Sequence, residues 1–313
     1  MKAGFREKVL LFLKGMGMGA ADIIPGVSGG TIAFITGIYE EFIHSLKSID
    51  FKALSVLRNE GLAAFWKTIN GGFLLVLFSG IIISLLSLVK VIKFLLENHP
   101  VLLWAFFFGL ILASSLYIAK QIKKWSIVSI VLLILGIIIS YFITIATPAQ
   151  TEPHLWYIFL CGMVAICAMI LPGISGSFIL LLMGQYPYML NAIDSRELST
   201  IAVFCAGCAV GLIAFSRVLS WTFKKYYNQT LAFLTGFLIG SLNKVWPWKE
   251  VLETFTDRHG EIRALVEQNV LPGTYESINN FSAQILPAIV LMVLGFVIVF
   301  VLEKVGEKKG ATA

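Results

Sequence analysis

The chain has 313 residues, of which 58% are hydrophobic and only 13% charged, and its mean hydropathy is +0.87. Ordinary soluble domains carry about 25% charged residues, so water is not the main solvent of this chain. The formal charge of +6 is not laid out as a basic stripe interleaved with aromatics, which argues against a nucleic-acid partner; orientation in a membrane accounts for it.

Residues Met1 to Lys14 read as a basic juxtamembrane start, and since no small-residue cleavage site comes after it, the chain is expected to be mature from Met1. A first helical hairpin is expected over 9–46. From Val9 to Ile24 a helix would be only about 24 Å long at 1.5 Å per residue, and it already holds Lys14 and Asp22, so it is a poor complete span. Pro25 and Gly26 break it, Gly29 and Gly30 allow a sharp turn, and a new helix starts near Thr31. Helix, broken loop and helix is the pattern of a re-entrant hairpin, whose irregular backbone must be buried in protein or line an aqueous cavity. Glu40 and Glu41 close this hairpin near the inner surface, either as solvated ends or as coupling candidates.

Apolar runs at 71–89, 101–119 and 126–147 approach or reach the roughly 20 residues that a membrane-crossing helix needs. A second hairpin is expected over 155–193, broken at Pro172 to Ser177, then further spans at 200–223, 229–243 and 284–302. An acidic external loop at 246–283 interrupts them. Most tryptophans sit at the ends of these runs, as interfacial anchors do. Cys161, Cys167, Cys205 and Cys208 lie in apolar segments without acidic or histidine companions and read as packing thiols, so no metal site and no cofactor is expected.

The chain is duplicated. Residues 15–46 align without a gap onto 162–193, placing Pro25, Gly26, Ser28, Gly29, Gly37 and Tyr39 on Pro172, Gly173, Ser175, Gly176, Gly184 and Tyr186 at a constant offset of 147. AFFFGLILAS (105–114) matches AFLTGFLIGS (232–241) at offset 127, which also sets Gly80 on Gly207 and Lys90 on Arg217; Gly136 meets Gly295 at offset 159. The expected fold is therefore an all-α polytopic membrane protein of two repeats, 1–147 and 148–313, within one integral membrane domain. A hairpin plus three spans is an odd number of crossings, so the second repeat should be inverted. With the N-terminus inside, inner segments hold 17 of the 24 Lys and Arg residues and outer segments 7, as the positive-inside rule requires. Both termini are then cytoplasmic.

Inversion should bring the two broken loops together near the midplane, where inverted-repeat transporters hold their substrates. Free N–H groups at the helix starts, with the hydroxyls of Ser28, Thr31, Ser175 and Ser177, would form an anion cradle suited to phosphate; alternatively the glycines serve close helix packing. Lys90 and Arg217, near opposite leaflets, would attract an anionic head group or act as snorkelling anchors. Asp22 has Met169 as its repeat partner. It is a candidate to carry a coupling proton or sodium ion, or else it caps the broken helix.

The motifs PGVSGGTIAFITGIYEE and PGISGSFILLLMGQYPYML, with the two repeated AF-G segments, resemble the bacterial polyprenyl-phosphate translocase (PopT) family over nearly the whole chain. That resemblance implies return of undecaprenyl phosphate, the carrier lipid of envelope polysaccharide and peptidoglycan synthesis, from the outer to the inner leaflet of the cytoplasmic membrane. It points to Pro25–Thr31 and Pro172–Ser177 as the substrate region. An integral undecaprenyl-diphosphate phosphatase is the main alternative. By resemblance, those enzymes carry arginine after the loop serine, whereas Gly29 and Gly176 stand here, and phosphoryl cleavage needs cations or a metal that neither loop supplies. A small-anion channel is the third reading.

Overall fold

A computed structural model describes residues 4–23, 27–149, 151–256, 262–279 and 281–310. It is mostly helical. In chain order, α1 (Phe5–Asp22) precedes the short α2 (Gly29–Ile35) and α3 (Tyr39–Lys47), then α4 (Phe51–Glu60) and α5 (Leu62–Thr68). Three long helices complete the first repeat: α6 (Gly71–Asn98), α7 (Pro100–Lys120) and α8 (Ile127–Ile145). The second repeat runs α9 (Leu155–Ile170), α10 (Gly176–Leu182), α11 (Tyr186–Asp194), α12 (Leu198–Lys225) and α13 (Tyr227–Ser241). Strands β1 (Lys249–Thr256) and β2 (Ile262–Asn269), then α14 (Pro272–Asn279) and α15 (Ile285–Gly310), end the chain.

Local chemistry sets these boundaries. Pro100 at the first position of α7 ends α6 at Asn98, because proline lacks the N–H that would continue the helix. Asp50 and Ser126 cap α4 and α8 by accepting from the amides of Ala53 and Ser129. The repeat-related Gly37 and Gly184 close α2 and α10 with φ of +70° and +72°, a left-handed conformation that side chains resist.

Among the described residues four helices, α6, α7, α8 and α12, are long and apolar enough to cross a membrane. The apolar runs of the sequence lead one to expect six full spans. The 15-residue α13 covers only about 22 Å at 1.5 Å per residue, and α15 carries a shorter apolar stretch, Ile285–Val301. α13 is short because it lies inside the protein: Leu231, Leu234 and Leu238 are fully enclosed. α8, by contrast, leaves Ile127, Val131 and Phe142 more than half exposed, apolar surface that needs a nonaqueous cover.

The repeats pack by one scheme, used twice. α1 lies on α6 as α9 lies on α12, while α8 packs on α13 and α15 on α7, so each third helix crosses to the other repeat. At each pairing two glycines sit backbone against backbone: Gly15 on Leu77 and Gly80 on Phe12; Gly162 on Phe204 and Gly207 on Phe159; Gly109 on Met292 and Gly295 on Phe106; Gly136 on Phe233 and Gly236 on Leu133. A Cβ at any of them would collide with a carbonyl oxygen, so at these positions the packing role of small residues is the one the geometry displays.

Two expectations need correction. Within 246–283, expected as a solvated loop, the chain forms an antiparallel β-hairpin plus α14, and Trp248 and Lys249 are buried at 5% and 9% exposure. Trp248 donates its indole N–H to the Ala283 carbonyl at 2.8 Å, which ties the two ends of the segment together, and both residues pack with Val101 and Ala105 of α7 and Ala288 of α15. Of the cysteines, Cys161 is buried but Cys205 is exposed on the outer face of α12; an apolar thiol suits a lipid-facing surface as well as a core.

Candidate functional site

α1 ends at Asp22 because the chain ahead, at Pro25 and Gly26, cannot continue it. Pro25 and Gly26 themselves lie outside the described residues. The segment from Ser28 to Thr31 is tightly bonded. The Gly29 N–H donates to Asp22 Oδ1 at 2.7 Å, the Gly30 N–H donates to Ser28 Oγ at 3.0 Å, and the Thr31 N–H donates to the Ser28 carbonyl at 2.9 Å. Three described amides of this segment are thus bonded to the chain's own groups. Asp22 takes the position that an external anion would, which is the capping alternative for this residue.

In the second copy, Ser175 Oγ accepts from the Phe178 N–H at 3.2 Å and lies 3.2 Å from Ser177 Oγ. Met169 stands where Asp22 stands in the first copy, so no carboxylate belongs to this loop. Pro172 is buried, Gly173 takes φ +100°, Gly176 is half-buried, and Ser177 is exposed. A Cβ on Gly173 would fall 2.7 Å from Ser241 Oγ at the end of α13, so glycine is required for conformation and for space.

The two loops touch, as expected. Ser28 Oγ donates to the Met169 carbonyl at 2.8 Å, the Gly173 N–H donates to Thr31 Oγ1 at 3.0 Å, and the Tyr39 hydroxyl donates to the Ile170 carbonyl at 3.2 Å. Ser28 and Thr31 are fully buried and Ser175 nearly so. These bonds join residues more than 130 positions apart; two of them satisfy carbonyls that the break at the end of α9 leaves without helical partners, and the third satisfies the Gly173 amide.

The remaining candidates lie elsewhere. Lys90 and Arg217 occupy the same place in the two 28-residue helices α6 and α12; both are exposed, and neither is brought to the loops by any described contact. Glu40 and Glu41 lie in the first turn of α3, where Glu41 accepts from Asn70 Nδ2 at 3.0 Å and Glu40 bonds Tyr227. They tie α3 to its neighbours. Among the described residues no three His, Cys, Asp or Glu side chains gather as a metal site would require.

Three ionic residues beside the second loop belong to no motif of the sequence. Lys244 Nζ stands 4.5 Å from the Phe178 ring and 3.1 Å from Glu267 Oε2, and Lys249 Nζ stands 3.9 Å above the Trp104 ring and 3.4 Å from the same oxygen. Burial by itself raises the Glu267 carboxyl, but the two ammonium groups and their hydrogen bonds outweigh it and hold it down at about 2. Burial pushes the Lys249 ammonium down to about 8 despite Glu267. The signal in the sequence is the Lys-Val-Trp-Pro-Trp-Lys run at 244–249, whose tryptophans resemble interfacial anchors and whose lysines count simply as outer charge.

Below the second loop, α8, α9, α12 and α13 enclose a cleft of about 820 Å³ lined by Ile139, Ala168, Leu171, Ile174, Phe215 and Phe233, among other residues. Its walls are almost wholly apolar.

A profile of the undecaprenyl phosphate translocase-like family matches residues 18–263. A Vibrio cholerae protein named polyprenyl-phosphate transporter is 46% identical over 297 residues, covering 95% of this chain and 96% of that protein. A Staphylococcus aureus protein of the same name is 31% identical over 258 residues, covering 77% of this chain and 87% of that one. No solved structure matches. With the family profile over most of its length and a 46% identical relative covered nearly end to end, the chain belongs to the undecaprenyl phosphate translocase-like family.

Proposed function

We propose that this protein is an integral membrane transporter of polyprenyl phosphate: a flippase returning undecaprenyl phosphate from the outer to the inner leaflet of the cytoplasmic membrane. Its phosphate passes the paired loops while its prenyl chain stays in apolar surroundings. The two repeats act as inverted halves, each a re-entrant hairpin with three crossings, and alternate in opening to the two sides. The observation that carries this reading is the set of cross-loop hydrogen bonds from Ser28, Thr31 and Tyr39, which set two irregular, polar backbone segments against each other among apolar helices. The names of the relatives support the lipid, and the 17 to 7 division of Lys and Arg supports cytoplasmic termini.

The protein is read as a transporter rather than an enzyme. Neither loop carries a basic residue to stabilise phosphoryl charge, and the carboxylate at the first loop is engaged in a backbone cap. Asp22, Glu40 and Glu41 stand as candidates for coupling to a proton or sodium ion, with Lys90 and Arg217 as peripheral attractors of the anionic lipid.

The test is head-group accessibility of undecaprenyl phosphate in proteoliposomes, comparing wild type with Ser28 and Ser175 both replaced by leucine, alongside phosphate release from the diphosphate. Transbilayer movement that depends on the serines, without released phosphate, is expected. Phosphate release without movement would replace the transporter with a phosphatase.

A further inference from the structure

The outer end of the second loop is covered by charges that the duplicated loops do not explain. α13 ends at Ser241, which packs on Gly173, and three residues later Lys244 lies over Phe178, whose amide is bonded to Ser175. Lys244 is thus one side chain removed from the loop. Lys249 lies over Trp104 near the start of α7, and among the described residues Glu267 is the one carboxylate in ion-pair range of either ammonium. Side-chain exposures are 17% for Lys244, 7% for Lys249 and 23% for Glu267.

Two cations therefore share one carboxylate in a largely desolvated site, and the trio keeps a net positive charge. A buried pair is worth holding only when its charges are matched. Here they are mismatched by one, and the aromatic faces that steady both ammoniums supply no negative charge of their own. A phosphomonoester carries about −1.5 to −2 charge and three strong acceptor oxygens near neutrality, so it matches two ammoniums better than a carboxylate does. Lysine, a compact point charge, is a common phosphate ligand.

We infer that Lys244 and Lys249 form the outer receiving site for the phosphomonoester head group of a polyprenyl phosphate, and that Glu267 holds the place of that phosphate until it arrives. The lipid displaces Glu267 from the lysines, and the phosphate is left against Phe178 at the edge of the Ser175 loop. This rests on the proposed transport of polyprenyl phosphate and extends it to a site that lies outside both loops.

The discriminating property is sign. If the trio only clamps the β-hairpin, removing any member weakens the protein alike. If Glu267 is a placeholder, the lysines and the glutamate act in opposite directions. The full chain in detergent, titrated with farnesyl phosphate and with farnesol as control, reports binding through tryptophan fluorescence, since Trp104 and Trp248 lie in or beside the site.

Expected are a loss of affinity of about tenfold or more for Lys244→Met and Lys249→Met, as for a lost hydrogen bond to a charged group. Lys249→Arg should retain most of the affinity, Glu267→Gln should bind more tightly than wild type, and farnesol should give no saturable response. Weaker binding in Glu267→Gln, or equal response to farnesol, would overturn the site. Running the variants in the proteoliposome assay separates the two claims. Lysine-dependent binding without transbilayer movement in wild type sinks the transport reading and leaves the site. Movement unaffected in Lys244→Met and Lys249→Met sinks the site and leaves transport.

Discussion

The two Pro-Gly-x-Ser-Gly loops share their sequence and differ in what fills them. In the first, Asp22 closes on the Gly29 amide, and Ser28 and Thr31 are sealed from solvent. In the second, Met169 replaces the acid, Ser177 stays exposed, and Lys244, from beyond α13, lies over Phe178. Equal backbone motifs thus meet different neighbours, a carboxylate of the chain itself at the first loop and Met169 in the same position at the second. The lesson is that a repeated motif fixes where the chain breaks, while the single residue three positions ahead of the proline decides whether the break is closed.

The strongest way to break the comparison is at the contact between the loops. A Cβ at Gly30 would fall 2.5 Å from the Ile170 carbonyl oxygen, so Gly30→Val is expected to part the loops, abolish transport and lower the detergent unfolding midpoint, with overpacking costing about 1–3 kcal/mol. Retained thermal stability in that variant would show that the loops are not wedged together.

Next in size, the serines should be unequal. Ser28→Ala leaves the Gly30 amide and the Met169 carbonyl without their partner, a buried loss of about 1–3 kcal/mol. Ser175→Ala loses a cap to Phe178 beside exposed Ser177, nearer about 1 kcal/mol. Equal losses in chemical unfolding would contradict the asymmetry.

The charge at the first loop can be moved to sharpen the contrast. Asp22→Asn preserves a cap acceptor and should change stability by less than about 0.5 kcal/mol, whereas Asp22→Ala should cost about 1 kcal/mol. Met169→Asp places a carboxylate against the second loop, where a Cβ added to Gly176 would lie 3.4 Å from the Met169 Cβ, as one added to Gly29 would meet the Asp22 carboxylate. It is expected to slow transport severalfold by competing with the phosphate, measured as initial rate against lipid density. A faster Met169→Asp variant would remove the argument that the second loop must stay free of acid.

The smallest effect concerns the cover over the second loop. Glu267 is held at about 2 against an ordinary 4.5, so the folded state binds fewer protons than the unfolded one between those values. Its stabilising contribution is complete above about 4.5 and is lost as pH falls toward 2. Hydrogen-exchange protection factors of β1 and β2, taken relative to the intrinsic rate at each pH, should therefore fall on acidification from about pH 5 to about pH 3 in wild type and stay level in Glu267→Gln.

Much of this molecule was legible before any coordinate. Composition required a nonaqueous surface, and the glycines that the sequence alignment pairs, Gly80 with Gly207 and Gly136 with Gly295, are among those that seat helix on helix. The prolines marked where α1 and α9 stop. These features are local or periodic, arising from φ restrictions, missing amides and side-chain volume, and a linear chain displays them.

What the chain could not display is which groups meet. That Ser28 would reach Met169 from 141 residues away and that Lys244 and Lys249 would share Glu267 depend on long-range packing. The crossing of α8 onto α13 and of α15 onto α7 is of the same kind, since either repeat could have packed its third helix on itself with equal local propensity. Sequence determined the breaks, the close approaches and the solvent. Tertiary structure decided the partners, because a buried amide, carbonyl or ammonium is satisfied by whatever group the packed helices bring within about 3 Å.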